Sequence, residues 1–257
     1  MRYAIMSDVH ANPQALDKAL ADARRQKCDR YLMLGDVTGY GYDVCGALAR
    51  VREAFDVVLL GNHDSACIGL EREDDVRAIP NYDIDRSQRV ELSESDVAWL
   101  KARRAIHVEP GLAFVHGDFA RPRAWNYILY AEDAAANLRL RSEPLLFCGH
   151  SHHAAVWEMS AKGVVSGRFE RRLFRPALKP ESVKLKVKAT SRYIVNVGSV
   201  GYPRNDLCAT YCIYDSEAGT VTLRRLPFDF KDYILRMFER KIVLPNWLLE
   251  LLEPPSR

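Results

Sequence analysis

The sequence predicts an α/β protein, and three observations carry that reading. Short apolar runs suited to buried strands alternate with stretches of helical period, the pattern of strand–helix units and of a parallel sheet. Most of these runs stop at glycine or at an acid, amide or imidazole, as strands do where a functional loop follows. The 257 residues are 48% hydrophobic and 28% charged, ordinary globular usage that excludes collagen-like, disordered and disulfide-scaffold classes.

The elements follow in order. Arg2 to Ser7 reads as a strand, and Asn12-Pro13 opens a helix with apolar positions Ala15, Leu16, Ala19, Leu20 and Ala23. Tyr31 to Leu34 is a buried strand closed by Gly35-Asp36, Val44 to Val51 is helical, and Val57 to Leu60 is a strand closed by Gly61-Asn62. A helix near Ser95–Arg103 is preceded by Ser93-x-x-Asp96, a capping box, and a hairpin turns at Pro110-Gly111 into the strand Leu112–Val115. Helix Ala131–Leu140 leads to strand Leu145–Cys148, which stops at Gly149-His150-Ser151-His152. From Lys162 to Arg192 ten Lys or Arg face two acids, and the Val-x-Leu-x-Val alternation there reads as exposed hairpin strands. Strands Tyr193–Val197, Ala209–Tyr214 and Val221–Leu226 precede a helix Lys231–Arg240, with Phe228, Phe230, Tyr233, Ile234 and Phe238 as its packing face, and a short helix around Trp247–Leu252. Without a repeat or linker, the chain is expected to form one domain, 1–257, with a basic hairpin segment at about 159–192 and C-terminal helices at about 229–253.

A net charge of +3 implies neither a nucleic-acid nor a membrane partner by itself. No apolar stretch approaches the roughly 18–20 residues of a membrane helix, and Asp8 and His10 interrupt the N-terminal run before it reaches signal-peptide length. Six cysteines without a Cys-x-x-Cys pair read as reduced thiols of a cytoplasmic protein.

The chemistry lies at the strand ends, where loops of an open α/β sheet converge. Five of them carry ligand-type side chains: Asp8 with His10, Asp36, Asn62 with His63 and Asp64, His116, and His150 with His152. Alone, each has an ordinary explanation, such as an Asx turn and cap at Asn12 or a tight turn at Gly61-Asn62. Together they form a nitrogen and oxygen donor set without thiolate, suited to Mn, Fe, Zn, Ni or Co. Seven ligands (Asp8, His10, Asp36, Asn62, His116, His150, His152) exceed what one ion takes, whereas two ions sharing a carboxylate use them all, with Asp36 as the bridge.

These segments, in this order, resemble the calcineurin-like metallophosphoesterase superfamily, and Asn196-Val-Gly-Ser-Val-Gly-Tyr-Pro-Arg204 resembles a loop of its small bacterial and archaeal members. The resemblance implies a four-layer α/β/β/α sandwich with two mixed sheets. It also implies that Asp8, His10, Asp36 and His152 hold one metal, that Asp36, Asn62, His116 and His150 hold the other, and that His63 and Asp64 are the catalytic pair. Ala11 stands where many relatives have Gly and Ser151 where many have Thr, and neither change removes a ligand. Gly35-Asp36 continues as Val-Thr-Gly-Tyr-Gly, not into Asp-Arg-Gly, which argues against the phosphoprotein phosphatases and the symmetrical dinucleoside tetraphosphatases.

The expected function is a metal-dependent phosphoric ester hydrolase with two divalent transition-metal ions per chain, Mn foremost in assays. A hydroxide bridging the ions would attack phosphodiesters of small nucleotide-like substrates. His63 would face the leaving group, with Asp64 holding its proton, and Arg204 would bind substrate. The alternatives are a nuclease or a phosphomonoesterase of the same superfamily, and a non-catalytic metal-binding scaffold. A small phosphate ester is the expected partner, nucleic acid is less favoured, and no membrane partner is expected. The basic segment is read first as a solvated hairpin and second as a track that steers phosphates.

Overall fold

The computed structural model describes residues 1–70, 82–168, 179–204, 208–244 and 246–249. The strands are β1 (Arg2–Met6), β2 (Arg30–Met33), β3 (Val57–Val58), β4 (Ile106–Glu109), β5 (Leu112–Val115), β6 (Leu145–Cys148), β7 (Ala155–Met159), β8 (Val165–Arg168), β9 (Glu181–Lys186), β10 (Arg192–Asn196), β11 (Cys208–Asp215) and β12 (Thr220–Pro227). The helices are α1 (Pro13–Arg25), α2 (Val44–Ala54), α3 (Asn62–Cys67), α4 (Tyr82–Glu91), α5 (Glu94–Lys101), α6 (Ala131–Leu140), α7 (Phe230–Glu239) and α8 (Asn246–Leu249).

Two six-stranded sheets result, ordered β3-β2-β1-β11-β12-β9 and β4-β5-β6-β10-β7-β8. Each contains a parallel block, β3-β2-β1 in the first and β5-β6-β10 in the second. The parallel sheet read from the alternation thus exists only as these blocks. Both sheets are mixed, because residues 216–219 between β11 and β12 and Pro110-Gly111 between β4 and β5 are too short for a crossover and force antiparallel pairing.

The period-two alternation of the strands sorts their side chains into layers. Tyr3, Ile5, Leu32, Leu34, Leu112, Phe114, Leu145 and Phe147 meet between the sheets. Ala4, Met6 and Met33 face outward onto Leu16 and Leu20 of α1 and Leu48 and Val51 of α2. Ala113, Val115, Leu146 and Cys148 face the other way, onto Ala134 and Leu138 of α6. The stack is therefore α/β/β/α. Each leucine buried on these faces contributes about 1.5–3 kcal/mol.

Helix starts follow local chemistry. Asn12 Oδ1 accepts the Ala15 N–H at 3.1 Å and Pro13 occupies the first turn, while Ser93 Oγ accepts the Asp96 N–H and Asp96 returns the bond to the Ser93 N–H, each at 3.2 Å. Three local expectations change. Strand 57–60 shortens to β3, because Leu59 makes only an isolated bridge to Arg104. The ligand-bearing stretch after it is helical from Asn62, and α4 was not apparent in the sequence. In α7, Tyr233, Ile234 and Met237 are buried, whereas Phe238 lies on the flank of that face and is half exposed; the Phe230 side chain and Leu252 fall outside the described residues.

β9 ends its sheet, and its Ser182, Lys184 and Lys186 point to solvent while Val183 and Leu185 are half-buried. Outward lysines on an edge strand discourage pairing with another chain, which accounts for part of the basic segment; residues 169–178 lie outside the described residues. Among the described residues no helix is long and apolar enough to cross a membrane.

Candidate metal centre

The two parallel blocks end on the same side of the stack, so the loops after β1, β2 and β3 meet those after β5, β6 and β10. The last of these, residues 197–204, ties the others together. Ser199 Oγ and the Gly201 N–H both donate to the Asp8 carbonyl at 2.9 Å. Asn12 Nδ2 donates to the Gly201 carbonyl at 2.9 Å, and Asn196 Nδ2 donates to the Gly149 carbonyl at 2.7 Å. Five of the expected ligands sit in the left-handed backbone region: Asp8 (φ 58°), His10 (48°), Asp36 (54°), His150 (66°) and His152 (64°). Such conformations cost about 1–3 kcal/mol each at non-glycine residues and persist only where the surroundings impose them.

Three groups of donor atoms form within 4.8 Å of one another: Asp8, His10 and His152; His10, Asp36 and His63; and Asp36, His116 and His150. Each expected ligand histidine has one nitrogen engaged by a backbone carbonyl. His10 Nδ1 donates to Thr38 O at 2.9 Å, His116 Nδ1 to Leu34 O at 3.2 Å, His152 Nδ1 to Tyr202 O at 2.6 Å and His150 Nε2 to Trp125 O at 2.7 Å. A carbonyl can only accept, so the other nitrogen of each neutral ring carries a lone pair, and the tautomer is set for coordination.

Those lone pairs face one another. His10 Nε2 lies 3.0 Å from His152 Nε2, and both lie near Asp8 Oδ1, at 3.7 and 3.3 Å. On the other side His116 Nε2 lies 3.1 Å from Asn62 Oδ1 and 3.2 Å from Asp36 Oδ2, and His10 Nε2 is 3.8 Å from that same Asp36 oxygen. Asp8 Oδ1 and Asp36 Oδ2 are buried without a well-formed hydrogen bond. Buried acceptors facing acceptors are unfavourable unless a cation lies among them, so the residues present fit divalent metal.

The electrostatics agree. Burial opposes the charge on Asp8 and Asp36, yet His152 beside the first and His116 beside the second hold both carboxyls below the usual range. Burial pushes His10 down to about 4 and, with His116 nearby, His150 down to about 3, which keeps both rings in the neutral, ligating form. His116 differs: burial opposes its charge but Asp36 outweighs it and pushes the ring up to about 9, so its Nε2 would hold a proton toward Asp36 until a dication, drawn by the same negative field, replaces that proton.

His63 and Asp64 come to the site on α3 but point to different partners. Asp64 does not bond the imidazole; its Oδ1 accepts the Val37 and Thr38 amides at 2.9 and 3.0 Å, and its Oδ2 accepts those of Asp36 and Gly61 at 2.8 and 3.1 Å. It therefore staples the loop that carries Asp36. The imidazole meets Asp85 of α4, both of whose oxygens lie 2.9 Å from His63 Nδ1. His63 is pushed up to about 9: burial opposes the charge, and Asp85 and Asp36 outweigh it. Gly61 is required where it stands, because a Cβ there would lie 2.1 Å from Asp36 Oδ1.

Around the donors, Tyr40 packs 4.6 Å from both His10 and His63 and stacks on Tyr202 at 4.3 Å, while the half-exposed Tyr127 stacks on His150 at 4.2 Å. Burial pushes the Tyr40 hydroxyl up to about 12 against the charge of Arg204. Tyr42 packs with Tyr233 in a cluster that also holds Tyr40 and Tyr202, Asn126 bonds Asp118, and His107 pairs with Glu109.

Two β-sheets that bring a His and Asp cluster to their parallel strand ends define a metal-dependent hydrolase class, and the comparisons agree. A family model described as the calcineurin-like phosphoesterase superfamily domain matches residues 1–219. The chain belongs to that superfamily and is a hydrolase acting on phosphoesters. It is similar to a metallophosphoesterase from Sphaerobacter thermophilus, at 31% identity and a TM-score of 0.78, covering 97% of both chains. It is also 27% identical over 256 residues to the uncharacterized protein MJ0912 of Methanocaldococcus jannaschii, covering 97% of this chain and 96% of the relative.

Proposed function

We propose that the protein is a dinuclear metal-dependent phosphodiesterase acting on small nucleotide-like substrates. The observation that carries the reading is that two donor groups, Asp8 with His10 and His152 and Asp36 with His116 and His150, lie side by side, with His10 Nε2 3.8 Å from Asp36 Oδ2. Asp8, His10, Asp36 and His152 would hold one ion, and Asp36, Asn62, His116 and His150 the other, because two dications a few ångströms apart require a shared negative ligand. Mn, Fe, Zn, Ni and Co all suit such donors, and Mn is the choice for assays. Bound there, the ions would supply Lewis-acid polarisation of the phosphoryl group and acidification of water. His63, outside both ligand sets, would present its Nε2 proton to the leaving-group oxygen. Asp64 would act on the chemistry indirectly, by holding the Asp36 loop. Arg204 would hold a non-bridging phosphoryl oxygen.

Diester preference rests on charge. A monoester dianion needs more cationic side chains than a diester monoanion does, and no Asp-Arg-Gly arginine follows Asp36. A cytoplasmic site of action is in keeping with six cysteines that are all free thiols. The test is a panel of nitrophenyl phosphate, bis-nitrophenyl phosphate, cyclic nucleotides and dinucleotides, with added Mn²⁺ or Ni²⁺ and metal content measured in parallel. The expected result is two ions per chain and a diester kcat/KM at least tenfold above the monoester. A tenfold preference for the monoester, about 1.4 kcal/mol in the wrong direction, would refute the substrate class, and one ion per chain would refute the dinuclear centre.

A further inference from the structure

We propose that Asp85 is the positioning residue for His63, turning the imidazole so that Nε2 faces the metal-ligand cluster; this rests on the acid role assigned to His63 above. The geometry is specific. Both Asp85 oxygens lie 2.9 Å from His63 Nδ1, the carboxylate is fully buried, and the ring is 3% exposed. A buried carboxylate costs several kcal/mol unless it is paired, so a helix needing only to pack at this point would carry an apolar side chain.

The rest of α4 fits the same role. Gln88, one turn beyond Asp85 and on the same face, accepts the Gly39 N–H at 2.7 Å and donates to the Gly41 carbonyl at 3.0 Å. The helix is thereby locked to the loop that begins at Asp36. Gly39 leaves the space in which the pair forms, since a Cβ there would lie 2.7 Å from His63 Nδ1 and 3.0 Å from Asp85 Oδ1. Tyr40 and His10 pack against the ring at 4.6 and 5.0 Å, so rotation of χ2 by half a turn is the main freedom left to it. An imidazole flipped in this way would put carbon where Nε2 must stand, and the bond from Nδ1 to Asp85 selects against that flip. Asp64 cannot do so, because both its oxygens are taken by amides.

The test is a double-mutant cycle of Asp85→Asn and His63→Ala on the metal-loaded full chain. One substrate is a dinucleotide, with a poor leaving group, and the other is bis-nitrophenyl phosphate, with a good one. Asp85→Asn should lower kcat on the dinucleotide by about 10–10²-fold, less than the roughly 10²–10⁴-fold of losing the acid outright, because the imidazole remains. The loss should be smaller on the nitrophenyl ester, with KM within twofold and metal content unchanged. Added to His63→Ala, it should lower kcat no further. A further drop in that background, an effect on KM alone, or no effect at all would overturn the proposal. If Asp85→Asn does not fold, the cycle is run with Asp85→Ser, and failure of both to fold would make Asp85 structural and also overturn it. His63→Ala measured alone separates the two ideas: if it keeps full activity, the acid role itself is wrong.

Discussion

Gly61→Ala isolates the position of Asp36 from every other property of the site. Gly61 is extended, at φ −102° and ψ 177°, where alanine is unstrained, so the substitution acts only through the added methyl. That Cβ would lie 2.1 Å from Asp36 Oδ1, 2.4 Å from the Asp36 amide nitrogen and 2.7 Å from its Cγ. Reaching even a 3.0 Å contact requires Asp36 to retreat by about 1 Å. Overpacking of this kind costs about 1–3 kcal/mol, or roughly 2–12 °C in Tm for a chain of this size. Displacing a shared ligand by that distance should weaken metal binding and lower kcat/KM by about 10²-fold. The two effects separate in melts with and without metal. Wild type should gain about 2.7 kcal/mol when free metal is 100 times Kd, and a variant whose Kd is 100-fold weaker should lose most of that gain. A variant with wild-type metal content, a full metal-dependent rise in Tm and activity within twofold would refute both the placement of Asp36 and its bridging role.

His63→Ala should leave metal content intact and lower kcat by about 10²–10⁴-fold on dinucleotides, with a smaller loss on nitrophenyl esters, which need less protonation; loss of metal in elemental analysis would instead make His63 a ligand. Away from the site, buried Asp22 accepts the Tyr211 hydroxyl at 2.7 Å and two Arg224 nitrogens at 2.9 Å. Burial works against the Asp22 charge, but Arg224 and Tyr211 lower the carboxyl from its ordinary value. A carboxyl depressed in the folded state contributes stability that is present above its unfolded value, about 3.9, and is lost as pH falls through the folded one. Asp22→Asn should therefore be less stable than wild type by about 2–4 kcal/mol at pH 7, with the gap narrowing below about pH 4. Urea melts showing a constant gap from pH 7 to pH 3 would contradict this.

The strand ends of this chain advertise their chemistry in one dimension. Asp8, His10, Asp36, Asn62, His116, His150 and His152 each follow a short apolar run, so their recurrence at successive strand ends is legible in the sequence, as are the Ser93-x-x-Asp96 box and the Pro110-Gly111 turn, which act over a few residues. What binds those segments together depends on partners distant in the chain. That β11 pairs with β1, and β9 with β12, follows from pairing across residues far apart, which no local period encodes. The carbonyls of Thr38, Leu34, Trp125 and Tyr202 that fix the histidine tautomers are backbone atoms, and any residue type supplies a carbonyl. The superfamily resemblance pairs Asp64 with His63. On a helix, however, consecutive side chains diverge by about 100°, and Asp64 turns back to the Asp36 loop while His63 turns to α4. Asp85 sits in a polar stretch with nothing local to mark it, because burial separates a pairing carboxylate from a solvated one, and the burial of Asp85 is decided only when α4 closes over the loop at Gly39.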